Sequence, residues 1–233
     1  MTDRQELERR LAGVEEDIRK ARTFAGLPVD GVDVLAVTKT RPSDAIRAAL
    51  AAGVIDIGEN RVPEMEAKVA EIGRSAARWH LIGHLQRNKV RQAVPLFDLL
   101  HSLDSLRLAR SLSAEAVESG REVHALIQIN TSGEESKFGF PAESALDATA
   151  EICELPGLVI DGMMTMAPLT DDDSVLRGTF SRARALWEEA GRVTPRFNAI
   201  HLSMGMSNDY RIAVEEGSTL IRLGTALFGG REV

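Results

Sequence analysis

A single cysteine, Cys153, occurs in the 233-residue chain, so no disulfide can form within it. It falls on the apolar face Leu146, Ala150, Cys153 of a predicted helix, where the expected role is that of a small buried hydrophobe. No run of about 18 apolar residues occurs, so no helix is expected to span a bilayer. The amino terminus, Met1-Thr2-Asp3-Arg4-Gln5-Glu6, carries acids and no apolar segment; no secretory signal is read, and a cytoplasmic location is expected. An excess of basic residues is also missing. With 28 Lys and Arg against 35 Asp and Glu, the formal charge of −7 argues against nucleic acid or an anionic membrane as partner. A small anionic ligand stays compatible, because local charge can oppose net charge. No Pro/Gly/Ser-rich linker divides the chain, and residues 1–233 are read as one domain.

What is present is an alternating pattern of strands and helices. Leu7, Leu11, Val14, Ile18 and Ala21 form a narrow apolar stripe, which predicts a helix within residues 1–26 that packs outside the main domain or against a partner. Eight strands are predicted: Val34–Thr38, Val54–Ile57, Trp79–Ile82, Leu96–His101, Val123–Asn130, Leu158–Met164, Ala199–Leu202 and Thr219–Leu223. Helical patterns separate them, among them Ser43–Ala52 with Ser43 as cap, a segment after Glu59-Asn60, Leu106–Val117, Ala142–Cys153 and Phe180–Ala190. Such a rhythm, in a length near the roughly 250 residues typical of the fold, predicts the α/β class and a single (β/α)8 TIM barrel with an additional N-terminal helix. A doubly wound open sheet is the alternative, but no G-x-G-x-x-G follows the first strand to support a dinucleotide site.

The first predicted strand is apolar on both faces and ends on Lys39, at the carboxyl end where parallel α/β folds place ligands. A lysine there can simply rest its stem on the rim with its ammonium in water. Two glycine-bearing segments argue for more: His201-Leu202-Ser203-Met204-Gly205-Met206-Ser207 and Arg222-Leu223-Gly224-Thr225-Ala226-Leu227-Phe228-Gly229-Gly230 follow the seventh and eighth strands, where barrels commonly bind phosphate. Glycine lets backbone N–H groups approach phosphate oxygens, and the hydroxyls of Ser203, Ser207 and Thr225 add donors. A lysine facing a phosphate pocket fits a phosphorylated carbonyl held as a Schiff base. Two chemistries remain open at this point: an aldolase with its substrate, or a pyridoxal phosphate protein.

Several segments then carry a resemblance. These are Ala36-Val37-Thr38-Lys39, Gly58-Glu59-Asn60-Arg61, Trp79-His80-Leu81-Ile82-Gly83-His84-Leu85-Gln86-Arg87-Asn88-Lys89, Gln128-Ile129-Asn130 with Glu135-Ser136-Lys137-Phe138-Gly139, Gly162-Met163-Met164-Thr165, and the two glycine-bearing segments. Together they resemble the pyridoxal phosphate homeostasis protein family, in order, from the first strand to the carboxyl terminus. The resemblance implies a fold-type III barrel similar to that of alanine racemase, with pyridoxal 5'-phosphate (PLP) held as a Schiff base on Lys39. It further implies Arg222 beside the pyridine nitrogen, Ser203, Ser207, Gly224 and Thr225 around the phosphate, and Asn60 near the ring. The implied role is vitamin B6 homeostasis and cofactor supply, with PLP-dependent apoenzymes as partners and no established turnover; a PLP-dependent racemase is the alternative.

A monomer is expected, with a dimer left open. The second, base-bearing domain of alanine racemases is not read in this chain, and Tyr210 is its only tyrosine. His80 and His84 are four apart, but Gly83 interrupts a helix there and no third ligand is evident, so no metal site is expected. Met163, Met164 and Met166 are expected to fill the barrel and pocket. The segment Glu134 to Gly139 is read as a solvated loop.

Overall fold

A computed structural model describes residues 3–134 and 138–230; Glu135-Ser136-Lys137, part of the fourth motif, lies outside the described residues. The strands are β1 (Asp33–Val37), β2 (Asp56–Glu59), β3 (Arg78–Leu81), β4 (Leu99–Leu103), β5 (Val123–Asn130), β6 (Phe140–Pro141), β7 (Leu158–Met164), β8 (Phe197–Met206) and β9 (Leu220–Leu223). All neighbouring pairs are parallel. The order β4-β3-β2-β1-β9-β8-β7-β5 closes through a β4–β5 pairing, which gives the eight-stranded barrel. The two-residue β6 pairs with Ile129 and Asn130 at the end of β5 and has no counterpart among the predicted strands.

The helices are α1 (Asp3–Phe24), α2 (Ser43–Ala51), α3 (Val62–Ile72), α4 (Val90–Ala93), α5 (Leu106–Ser119), α6 (Ala145–Cys153), α7 (Asp173–Val193), α8 (Tyr210–Glu215) and α9 (Thr225–Phe228). Among the described residues, no helix is long and apolar enough to cross a membrane. The predicted stripe of α1 is buried from Leu7 through Ala21, and α1 packs on α2, α8 and α9 outside the barrel. Asp17 of α1 accepts hydrogen bonds from Tyr210 Oη (2.6 Å) and Arg211 Nη2 (2.7 Å), which ties it to α8. Cys153 is buried, and burial pushes its thiol up to about 11.

Several boundaries differ from expectation for local reasons. Strand β2 begins two residues late because the Val54 N–H still closes a turn on Ala49 O at the end of α2. That shift brings Glu59 into the strand. Strand β4 begins at Leu99, because Leu96 still bonds back to Ala93 and Asp98 is engaged by Arg74 and the Trp79 N–H. Ser43 is not the cap of α2: Pro42 occupies that position, and Ser43 Oγ donates to Glu71. Helix α6 starts at Ala145 rather than Ala142, and α7 starts earlier than expected because Asp172 caps it through Ser174 N. The close pairing of β7 with β8 depends on Gly162, whose φ is +146° and whose added Cβ would lie 1.8 Å from His201 O.

Candidate functional site

A cavity of about 360 Å3 opens at the carboxyl ends of the strands. Six of the seven expected site residues line it: Lys39, Asn60, Ser207, Arg222, Gly224 and Thr225.

Lys39 is placed by a turn just beyond β1. The Arg41 N–H bonds Thr38 O at 3.0 Å, and Thr40 takes φ +61°, a left-handed conformation that a β-branched residue adopts only when its surroundings impose it. Those surroundings include Glu64, which accepts from the Thr40 N–H at 2.5 Å. Beneath the turn, Lys68 Nζ donates to Thr38 O (2.7 Å), Glu59 Oε1 (2.7 Å) and Glu64 Oε1 (2.8 Å), using all three of its donors. Thr38 Oγ1 donates to the same Glu59 oxygen at 2.5 Å, while Glu59 Oε2 is buried and has no partner among the described residues. Burial pushes the Glu59 carboxyl up, against the opposing effect of Lys68 and Thr38. This buried cluster anchors the residue before Lys39. Lys39 itself is half-buried and makes no hydrogen bond or ion pair among the described residues, so its amine is available to a ligand.

Asn60 follows β2 and is pressed from behind by Gly83. A Cβ at Gly83 would lie 2.1 Å from Asn60 O and 2.7 Å from Asn60 Oδ1. Gly83→Ala therefore displaces Asn60 from the cavity wall. The expected result is a loss of about 1–3 kcal/mol in a urea unfolding series, together with weaker ligand binding. A variant as stable as the parent and with equal affinity contradicts this packing role.

Arg222 of β9 is 5% exposed. Its Nη1 donates to Ser203 O (2.9 Å) and Ser203 Oγ (2.7 Å), and its Nη2 to Thr165 O (2.9 Å). The Nε–H and one Nη2–H make no bond among the described residues. Burial pushes the guanidinium down to about 10, with Asp209 opposing, so it remains cationic at neutral pH.

At the other side of the cavity, Ser207 Oγ accepts from Gly224 N (3.3 Å) and Ala226 N (3.1 Å), joining the loop after β8 to the start of α9, and its own O–H donates to no partner among the described residues.

Ser203, expected at the phosphate, is placed differently. Its side chain is wholly buried below the cavity floor, between Arg222 and His101 Nδ1 (3.0 Å). Strand alternation accounts for this, since Ser203 is an inward residue in the middle of β8 whereas Ser207 lies beyond its end. His80 and His84 also part company: His80 bonds Asp56 and His101, while His84 bonds Asp104 and stacks on Phe138. Sequence reasoning missed Arg41 and Asp209, which line the cavity. Arg41 donates to Gly229 O at 2.6 Å and lies over the Phe228 ring, so it reaches the α9 end of the site. Its position two residues after Lys39, in the same turn, was the available signal.

Comparison with known proteins identifies the family. The profile described as "Alanine racemase, N-terminal domain" matches residues 10–232. A pyridoxal phosphate homeostasis protein of Pseudomonas aeruginosa is 39% identical over 223 residues, covering 95% of this chain and 94% of its own length. The chain belongs to the pyridoxal phosphate homeostasis protein family. The Escherichia coli K12 protein of that name is 37% identical over 225 residues, with 95% of each chain covered. Among solved structures, PipY of Synechococcus elongatus with PLP bound superposes with a TM-score of 0.82 at 37% identity, covering 96% of this chain and all of PipY. Alanine racemase from Corynebacterium glutamicum shares the barrel, with a TM-score of 0.69 at 17% identity; 96% of this chain and 62% of that one are covered.

Proposed function

We propose that residues 1–233 form one PLP-binding unit that holds the cofactor on Lys39 as a Schiff base and supplies it to other proteins in the cytoplasm. The observation that carries this reading is the convergence on one cavity of a lysine amine with no partner among the described residues, a buried guanidinium, and a hydroxyl and glycine-bearing loop at the α9 end. The volume falls within the roughly 300–1,000 Å3 of small-molecule sites. A relative that carries PLP, at 37% identity over the whole of its length, supports the same ligand class.

The donor set suits each end of PLP. Lys39 provides the amine for the aldehyde. Ser207, Gly224 and Thr225 line the cavity together and offer donors suited to a phosphate, with Arg41 nearby adding positive charge. Arg222 lines the cavity and offers donors only, so a pyridine nitrogen set against it would accept a hydrogen bond and stay unprotonated. When bound, PLP supplies an electrophilic aldehyde and an electron sink. With Arg222 against its ring nitrogen that sink would be weak, which would favour holding and releasing the cofactor over carbanion chemistry.

The single tyrosine of the chain points the same way. Tyr210 Oη is engaged by Asp17 and Tyr210 does not line the cavity, so it is not poised as a base there. The homeostasis role carried in the relatives' names supports the supply reading.

Two measurements test this. Holoprotein incubated with single amino-acid enantiomers should show negligible racemisation by chiral chromatography while restoring activity to a PLP-requiring apoenzyme; sustained racemisation that needs Lys39 contradicts the reading. Pyridoxal lacking the phosphate should bind far more weakly than PLP, and Thr225→Ala should weaken PLP binding by about 0.5–1.5 kcal/mol, the net value of one neutral hydrogen bond. Equal dissociation constants for the two vitamers remove the phosphate site.

A further inference from the structure

Below Arg222 lies a connected set of buried polar residues for which cofactor contact alone gives no reason. Ser203 Oγ is 2.7 Å from Arg222 Nη1 and 3.0 Å from His101 Nδ1, the second contact crossing the barrel interior from β8 to β4. His101 Nε2 is 2.9 Å from His80 Nδ1, and His80 Nε2 is 2.8 Å from Asp56 Oδ1. Ser203 and His101 are fully buried; His80 and Asp56 are nearly so and border a separate cavity at the opposite mouth of the barrel.

The two ends fix the direction of every bond. A guanidinium only donates and a carboxylate only accepts. With one proton on each imidazole, a single arrangement satisfies all four contacts: Arg222 donates to Ser203, Ser203 to His101 Nδ1, His101 Nε2–H to His80, and His80 Nε2–H to Asp56. At His101 and Asp56 the surroundings support the states this arrangement needs. Burial, with His80 and Arg222 adding to it, pushes His101 well below the usual imidazole value. Burial would raise the Asp56 carboxyl, but the hydrogen bonds from His80 and Arg78 outweigh it and hold the group below the ordinary range. Aligned donors of this kind polarise one another in a low-dielectric interior.

Building on the PLP reading above, we propose that Ser203 and His101 are positioning residues for Arg222: they lock its guanidinium so that the free N–H groups address the cofactor's ring nitrogen, and His80 and Asp56 complete the chain. Neither Ser203 nor His101 lines the cavity, so neither acts by touching the ligand.

The test uses holoprotein loaded with PLP carrying 15N in its ring, and reads the ring-nitrogen resonance and the rate of PLP release to a trapping apoenzyme. Ser203→Ala and His101→Leu should each move the resonance and release PLP about tenfold faster, as expected for weakening one hydrogen bond to a charged group. His101→Asn keeps an acceptor near the Nδ1 position while abandoning His80, and should retain the parental resonance. A merely structural role for His101 would move the Leu and Asn variants together. If His101→Leu does not fold, Ser203→Ala decides, since it removes one oxygen atom and leaves the Arg222 bond to Ser203 O. In 15N-histidine spectra of the apoprotein, His101 should carry its proton on Nε2; a proton on Nδ1 overturns the chain whatever the cofactor does. A parent protein that takes up no PLP overturns the proposed function and this role with it, whereas normal uptake with an unmoved resonance in both Ser203→Ala and His101→Leu overturns this role alone.

Discussion

Lys39→Ala, purified from cells and dialysed, is expected to lack the absorbance of a PLP Schiff base and to yield no borohydride-stable adduct. The fold should be untouched. Lys39 is half-buried and unpaired among the described residues, so its truncation leaves neither a large apolar cavity nor a stranded partner, and the change in unfolding free energy should stay within about 0.5 kcal/mol. Weak, reversible PLP binding through Ser207, Gly224, Thr225 and Arg222 should persist in equilibrium dialysis. An adduct that survives in Lys39→Ala on another lysine places the chemistry elsewhere.

The largest stability effect is expected at Lys68, which takes no part in the cavity lining. Its ammonium satisfies Thr38 O, Glu59 Oε1 and Glu64 Oε1 at once, and Glu59 already has one buried oxygen without a partner among the described residues. Lys68→Met strands a buried carboxylate, for which a cost of about 3–5 kcal/mol in urea unfolding at neutral pH is expected. The pH dependence has a definite sign. The folded-state carboxyl of Glu59 is raised above its ordinary value of 4.5, so the folded state holds that proton more tightly than the unfolded chain. Its favourable contribution is present below about 4.5 and is lost as pH rises through the folded value. The deficit of Lys68→Met should accordingly shrink on acidification, and a second change, Glu59→Gln, should recover much of it at neutral pH. Equal urea midpoints for parent and variant would falsify the clamp beneath Lys39. Because Lys68 also holds Thr38 O, the residue before Lys39, PLP retention should fall alongside stability.

Much of the barrel was legible because its signals are local. Runs such as Val34 to Val37 are apolar on both faces, and the α1 stripe alternates by three and four; burial then follows from period alone. Boundaries were less legible, because Val54 and Leu96 look like strand residues yet are held in turns by hydrogen bonds that depend on the preceding helices. In the site, Lys39, Ser207, Arg222, Gly224 and Thr225 stand at or beyond strand ends, where position in the βα rhythm indicates direction, and all reach the cavity. Ser203 lies elsewhere than the same logic expects: it precedes the end of β8 by enough residues that its side chain turns into the barrel and meets His101 from the opposite wall. A contact between residues 203 and 101 leaves no trace in either local pattern. The Glu59–Lys68 pair escaped notice for a related reason, since Lys68 reads as one more surface residue of a charged helix until α3 is packed against the end of β2.

The central claim is that Lys39 is the residue that holds the cofactor. Borohydride reduction of the protein loaded with PLP, followed by proteolysis and mass spectrometry of the peptides, tests it most directly. One phosphopyridoxyl group per chain is expected, on the peptide containing Lys39, with fragment masses that assign it to that side chain. A stoichiometric adduct on a different lysine, or none after full loading, would contradict it.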